Sequence, residues 1–475
     1  MKKNFFRKVG FGIGPDEVVP ENPVVWAQNQ VDKVPPLIWD TQIRSGEEML
    51  NHYAEWVYTD REILRKKYKE NRQAYKEAKN KLRYKVGQQY FENLEICIRQ
   101  NTALKSKSPV FERLWFFWCN HFAIIDKDAM PQFTTGPYHR ETIRTNMCGS
   151  FETLLKEATL GWSMIHNLDN SESIGPHSEW GKNRRKRGKL ATVNENHARE
   201  LLELHTVSPS AGYSQEDVIQ LSYVMAGWEH EHTKKRKECN PVRFNYKKHE
   251  PGNHKVLGKK YKQRGLSPKN KLIDVLKDLS NHPETRRFIA FKLCRHFLTD
   301  NPTEEMIAPI ISAWEQSDGN LPTIHKALLQ VVYDHADNQA KFQNPEIWML
   351  QMVHMVGGSW PLQADEMKYN FKIKPNNHQR RPRFFMKEIG YEPYRPIQPN
   401  GFSDLESDWI SPELLIRRMS APKEIAQRRF ALKNFGEMIE KNFDDPEEIK
   451  ALIDGVKSPS TKMQLIFPSY RMLKT

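Results

Sequence analysis

The sequence predicts a mainly α fold: one large multi-helix body carrying a small β-hairpin insertion. Three observations lead there. Apolar residues recur at helical spacing along most of the chain. Strand-like alternation is confined to a short stretch near Val242. No internal repeat or low-complexity tract interrupts the pattern. With 475 residues, 38% of them apolar and 11% aromatic, the chain can bury a sizeable core.

Residues 1–475 read as one helical domain, and its parts follow in order. The proline-rich start carries Gly10-Phe11-Gly12-Ile13-Gly14, which lacks the spacing of a phosphate-binding loop and follows no strand. Residues 46–101 are charged and helix-forming, as expected of long exposed helices. Val110 to Ile125 is apolar nearly all round, which predicts a central buried helix with Asn120 and His121 as its polar exceptions. Ser214-Gln215-Glu216-Asp217 is a capping box opening a helix that reaches Trp228. Residues 229–265 lose the helical period. Val242 to Tyr246 alternates and Pro251-Gly252-Asn253 is a turn, so a basic hairpin is expected there. Pro283 stands at the first position of a helix running to Thr299. Residues 357–411 form an irregular connection rich in Pro, Gly and Asn, and 412–475 close the chain with helices.

Composition excludes several classes. There is no run of about 18 apolar residues, hence no membrane span. The basic start, Met1 to Gly10, leads into no apolar h-region, so no signal peptide is read and a cytoplasmic location is expected. Cys97, Cys119, Cys148, Cys239 and Cys294 lack paired spacing, which argues against a disulfide framework or zinc knuckle and fits a reducing compartment. The formal charge of +14, concentrated between His230 and Arg264, favours an acidic partner: nucleic acid, an anionic glycan or a phosphorylated substrate. A solvated basic surface accounts for it equally well.

Ionisable groups concentrate from Asn194 to Thr206 (NENHARELLELHT). At roughly 100° per residue, Ala198, Leu201, Leu202 and Leu204 form an apolar arc with His205 in its middle, and Glu195, Asn196, Arg199, Glu200 and Glu203 lie opposite. If that polar face is covered, its carboxylates need cations. The helix after Pro283 offers Arg286, Arg287, Lys292, Arg295 and His296, so a buried charge network between the two helices is expected. His205 and His121 each have two readings: hydrogen-bonded core histidines, or acid/base groups facing a buried polar pocket.

Glu200, Glu203, His205 and His121 are the candidates for acid/base catalysis. Arg199, Trp228, His249, Lys255, Arg287, Lys292 and Arg295 are the candidates for substrate contact. A divalent metal would fall to His121, His205 and His249. Against it, no H-E-x-x-H is present, and Glu203 and His205 project about 200° apart on a helix. No G-x-S-x-G supports nucleophilic catalysis. The enzyme reading requires Glu203, His205, His121 and His249 to meet on one concave pocket.

These stretches carry a resemblance. Phe117-Trp118-Cys119-Asn120-His121-Phe122, Leu168-Asp169-Asn170, the Asn194–Thr206 stretch, Gly212-Tyr213-Ser214-Gln215 and Gly227-Trp228 stand in order along the chain. His249-Glu250, Lys255, Leu257-Gly258, His282-Pro283, Lys292-Leu293, Arg295 and Phe467-Pro468-Ser469 follow. In this order they resemble the bacterial family known as domain of unknown function 1800, over nearly the whole length. The chain departs from it at His197, Glu250 and His296, where the family has tyrosine, aspartate and an aromatic residue, so those three are assigned no shared chemistry. The resemblance implies a mostly helical body and, for many members, export beside a sulfatase-like partner protein. It implies no reaction. Two readings stand: an enzyme or enzyme subunit with a buried Glu/His/Arg cleft acting on an anionic substrate, or a non-catalytic scaffold holding an acidic glycan, a partner protein or nucleic acid.

Overall fold

The computed structural model describes residues 2–39, 42–86, 88–230, 242–263, 268–360, 382–426, 432 and 434–475. Helices dominate, and among these residues the sheets are two antiparallel strand pairs. The fold is mainly α, as the periodicity predicts. No described helix is long and apolar enough to cross a membrane.

The expected central helix runs from Pro109 to His121 and buries every residue except Asn120. Proline at its first position suits a site where the backbone N–H would go unused. Phe122 leaves the helical conformation, so the helix stops short of Ile125. Val110, Phe111, Leu114, Trp115, Phe117 and Trp118 face a first core, shared with helices from Lys3–Val9 through Leu321–His335. Phe116 faces a second core, built from Pro345–Met355 and the C-terminal helices.

A helix buried on all sides must pair its polar groups inside the protein, because each would otherwise lose its hydrogen bonds to water. Glu112 is fully buried against Arg144, with Nη2 2.8 Å from Oε1. The Arg144 guanidinium also lies 4.5 Å from the centroid of the Trp115 ring. Arg113 donates to His296 Nε2 at 2.8 Å and to Gln343 at 3.3 Å.

Two expectations change. The charged 46–101 stretch is not uniformly exposed, because its last helix, Gln88–Lys105, lies inside the protein. There Glu92 pairs with Arg383 and Arg395, Glu95 with Arg140, and Arg99 with Glu346. Also, the strands flanking Pro251–Asn253 do not pair with each other. Val242–Phe244 pairs instead with Trp228–His230. His254–Val256 pairs with Lys259–Tyr261 across Leu257 and Gly258, both at positive φ as a tight two-residue turn requires. Alternation identifies a strand but not its partner. Residues 231–241, with Cys239 and much of the expected basic charge, lie outside the described residues, as do 361–381 of the irregular connection.

Glu112→Ala leaves Arg144 buried without its carboxylate. The expected loss of stability in urea denaturation is about 3–5 kcal/mol. A change of less than about 1 kcal/mol, the size of an exposed pair, would contradict this account of the central helix.

Candidate functional site

His121 closes the central helix, where it meets Lys292 from the Pro283–Phe297 helix and His205 from the segment after Asn196–Glu203. Lys292 Nζ is 3.0 Å from His121 Nδ1, and His121 Nε2 is 3.3 Å from the His205 carbonyl oxygen. An ammonium can only donate, so His121 accepts at Nδ1 and carries its proton on Nε2, which donates to His205. The two imidazoles lie 5.9 Å apart. Burial, then Lys292, keep His121 well below the usual histidine range. Burial, with His197 and Lys292, lowers His205 to about 3. Burial lowers the half-buried Lys292 amine to about 8. His197 is wholly buried beside them, with neither ring nitrogen hydrogen-bonded.

A second polar set adjoins it. His296 Nδ1 is 2.7 Å from Asp404 while Arg113 holds the other ring nitrogen, which makes His296 the neutral Nδ1–H form. Burial pushes the Asp404 carboxyl up, but His296, Lys341 and Lys292 outweigh it and hold Asp404 at about 2. His296 also lines a cavity with Asn120, Arg99, Glu346, His139 and Tyr391. At ≈ 30 Å³ it has room for about two water molecules. Sequence reasoning missed Asp404, Arg113 and Glu346. Asp404 sits in a stretch with no periodicity, so no local signal marks it.

The side chains of the other expected residues have partners or surroundings of their own. Glu203 accepts from the Tyr213 hydroxyl at 3.0 Å. Glu200 is half-buried, its carboxyl raised by burial and by Glu203. Trp228 and His249 pack on Phe244, at 5.3 Å each between ring centroids. Lys255 is exposed on its hairpin. No hydrogen bond, ion pair or ring contact joins Glu203 or His249 to His121 or His205. Among the described residues, no three His, Cys, Asp or Glu side chains gather as a metal-binding set.

The expected charge network between the two helices is corrected. Arg199 bonds to Glu195 at 3.0 Å and Gln215 at 2.8 Å, on its own side of the molecule. Arg286 pairs with Glu315 at 2.6 Å, Arg287 with Glu304, and Arg295 donates to the Asp300 carbonyl. The physical reason is packing. Pro283–Phe297 lies against Glu304–Gln316, whereas Asn196–Glu203 lies against Gln215–Met225.

A different surface carries free cations. Lys182 to Lys189, a basic run that the sequence suggests is a loop, is instead helical through Lys186, in the helix Glu179–Lys186, and exposed throughout. Trp180 N donates to Lys247 O and Gly175 N to Lys248 O, both at 2.9 Å, which joins this helix to the segment ahead of the His254–Tyr261 hairpin.

The family described as "Protein of unknown function (DUF1800)" matches residues 4–466. The chain belongs to the DUF1800 family. No curated protein and no solved structure matches it. Family membership therefore brings no reaction.

The buried histidines make stability depend on pH. Burial lowers His197 to about 3, whereas in the unfolded chain it titrates near the usual value of about 6.5. Between those values the unfolded state holds a proton that the folded state does not, so stability falls as pH falls through this window. His197→Phe should shrink the loss of stability between pH 7 and pH 5 by about 2 kcal/mol in urea denaturation. An unchanged pH dependence would show that His197 is not held neutral.

Proposed function

We propose that this DUF1800 protein is a non-catalytic scaffold that holds an acidic polymer on its basic face. One observation carries the reading. Lys182, Arg184, Lys186, Arg187 and Lys189 are exposed, and among the described residues none has an ion-pair partner. Surface cations in folded proteins usually have carboxylates close by. A strip without them holds a local positive potential that attracts polyanions and releases their counterions on binding. Exposed Lys247, Lys255, Lys259 and Lys260 extend the same sign onto the neighbouring segment and hairpin, partly offset by Glu179 and Asp278.

The enzyme reading has less support. Acid/base or metal roles for Glu200, Glu203, His205, His121 and His249 need a shared pocket, and their contacts fall into separate sets. His121 and His205 do meet, with both nitrogens of His121 committed to protein partners. The shifts at these groups follow from burial, which a structural histidine also undergoes. Substrate contact by Arg287 and Arg295 competes with their bonds to Glu304 and Asp300. The sulfatase-like partner and export implied by the family resemblance are compatible with a scaffold but add nothing to its support.

The test is a binding titration of the full chain against polygalacturonate, heparin and duplex DNA over a salt series. Affinity should fall steeply with salt. Replacing Lys182, Lys186, Arg187 and Lys189 together by alanine should flatten the log–log salt slope by about four, with thermal unfolding unchanged. No binding to any of the three at low salt, or binding indifferent to salt, would overturn the proposal.

A further inference from the structure

Beside the basic strip lies a shallow groove of ≈ 620 Å³, open to solvent, between the Glu179–Lys186 helix and the segments around 171–174 and 192–194. This groove differs from the rest of the strip in having an aromatic floor. Trp180 is 41% exposed, an unusual state for the residue with most to gain from burial. Arg184 follows one turn later on the same helix face, so a flat apolar surface and a guanidinium stand side by side. The Arg184 guanidinium has no hydrogen-bond or ion-pair partner among the described residues. Lys248 Nζ lies 5.4 Å from the Trp180 ring centroid, tethered by Glu229 at 2.7 Å and the Ser171 carbonyl at 2.9 Å. The cation is therefore held at the groove rather than left to swing in solvent.

The remaining wall is uncharged or acidic. Asn194 Oδ1 accepts from Asn196 N at 2.9 Å, which leaves the amide nitrogen free to donate. Thr192 is exposed and contributes a hydroxyl. Glu172 is exposed, and no ion-pair partner for it is found among the described residues. These groups separate two classes of polyanion. A nucleic acid's backbone presents phosphate oxygens, which only accept and so offer a free carboxylate in the groove no donor. A sugar ring brings hydroxyls that donate to a carboxylate and accept from an amide. Its C–H face lies on the electron-rich face of an indole, and its one acidic substituent fits the fork of an arginine.

Resting on the proposed scaffold role, we infer that this groove is a subsite for one acidic sugar residue of a polysaccharide. Trp180 is the platform, Arg184 the partner of the carboxylate or sulfate, and Asn194, Thr192 and Glu172 the hydroxyl contacts. The chemistry is the same for a uronic acid and a sulfated sugar.

The experiment measures affinity of the full chain for tetragalacturonate, for a heparin tetrasaccharide and for a single-stranded oligonucleotide of matched charge. Trp180→Ala should weaken one or both saccharides about tenfold or more and leave the oligonucleotide within about twofold. Trp180→Phe should restore most of the loss, because a ring remains. Arg184→Ala should weaken the acidic saccharide and flatten its salt dependence. Preference for tetragalacturonate assigns the acid as carboxylate, and preference for the heparin fragment assigns it as sulfate. If the saccharides bind, lose affinity with the Lys182/Lys186/Arg187/Lys189 variant, and are indifferent to Trp180→Ala, the subsite is overturned while the scaffold reading stands. If Trp180→Ala weakens the oligonucleotide most, the groove is a nucleic-acid site and the saccharide assignment is wrong. If no polyanion binds, both readings fall together.

Discussion

The all-round burial of Pro109–His121 is the constraint on which the rest of this structure depends. Each polar group on that helix must find a partner inside the protein, and each partner comes from a different part of the chain. Glu112 draws in Arg144, Arg113 takes His296 and Gln343, and His121 takes Lys292 and the His205 backbone. Asn120 uses both ends of its amide on the backbone of Phe402, at 2.8 Å each. That clamp explains Gly401, whose φ is +77° and where a Cβ would come within 2.5 Å of Asn120 Oδ1. One helix thus locates five distant segments, including the 400–409 loop that bears Asp404.

The same constraint changes how the ionisable groups should be understood. His121 and His205 are pushed well down from the usual histidine range, and there the side chains are already engaged in holding segments together or are sealed from water. Perturbation there measures burial. Unengaged polar groups collect on the opposite kind of surface, around Trp180, Arg184 and Asn194, where the side chains are open to solvent.

The extent to which the molecule was legible in advance varies by residue. The central helix, the Ser214–Asp217 capping box and the inward direction of His205 all follow from local spacing, and all are present. The partners of Arg286, Arg287 and Arg199 did not follow, because periodicity says which face of a helix is polar and not which neighbour covers it. Glu92, Glu95 and Arg99 looked like surface charges for the same reason. Paired across helices they are as well buried as leucines. His121 and Lys292 were each singled out from sequence, but their contact was not, since 171 residues separate them.

By itself the sequence determined the fold class, the helix that would be buried, and the surplus of positive charge, because these depend on composition and on spacing within a few turns. Only the tertiary structure decided which charges neutralise one another, which strands pair, and which cations are left over. Those outcomes depend on proximity between distant segments, and proximity is set by how the helices stack around a core rather than by any one helix's own pattern.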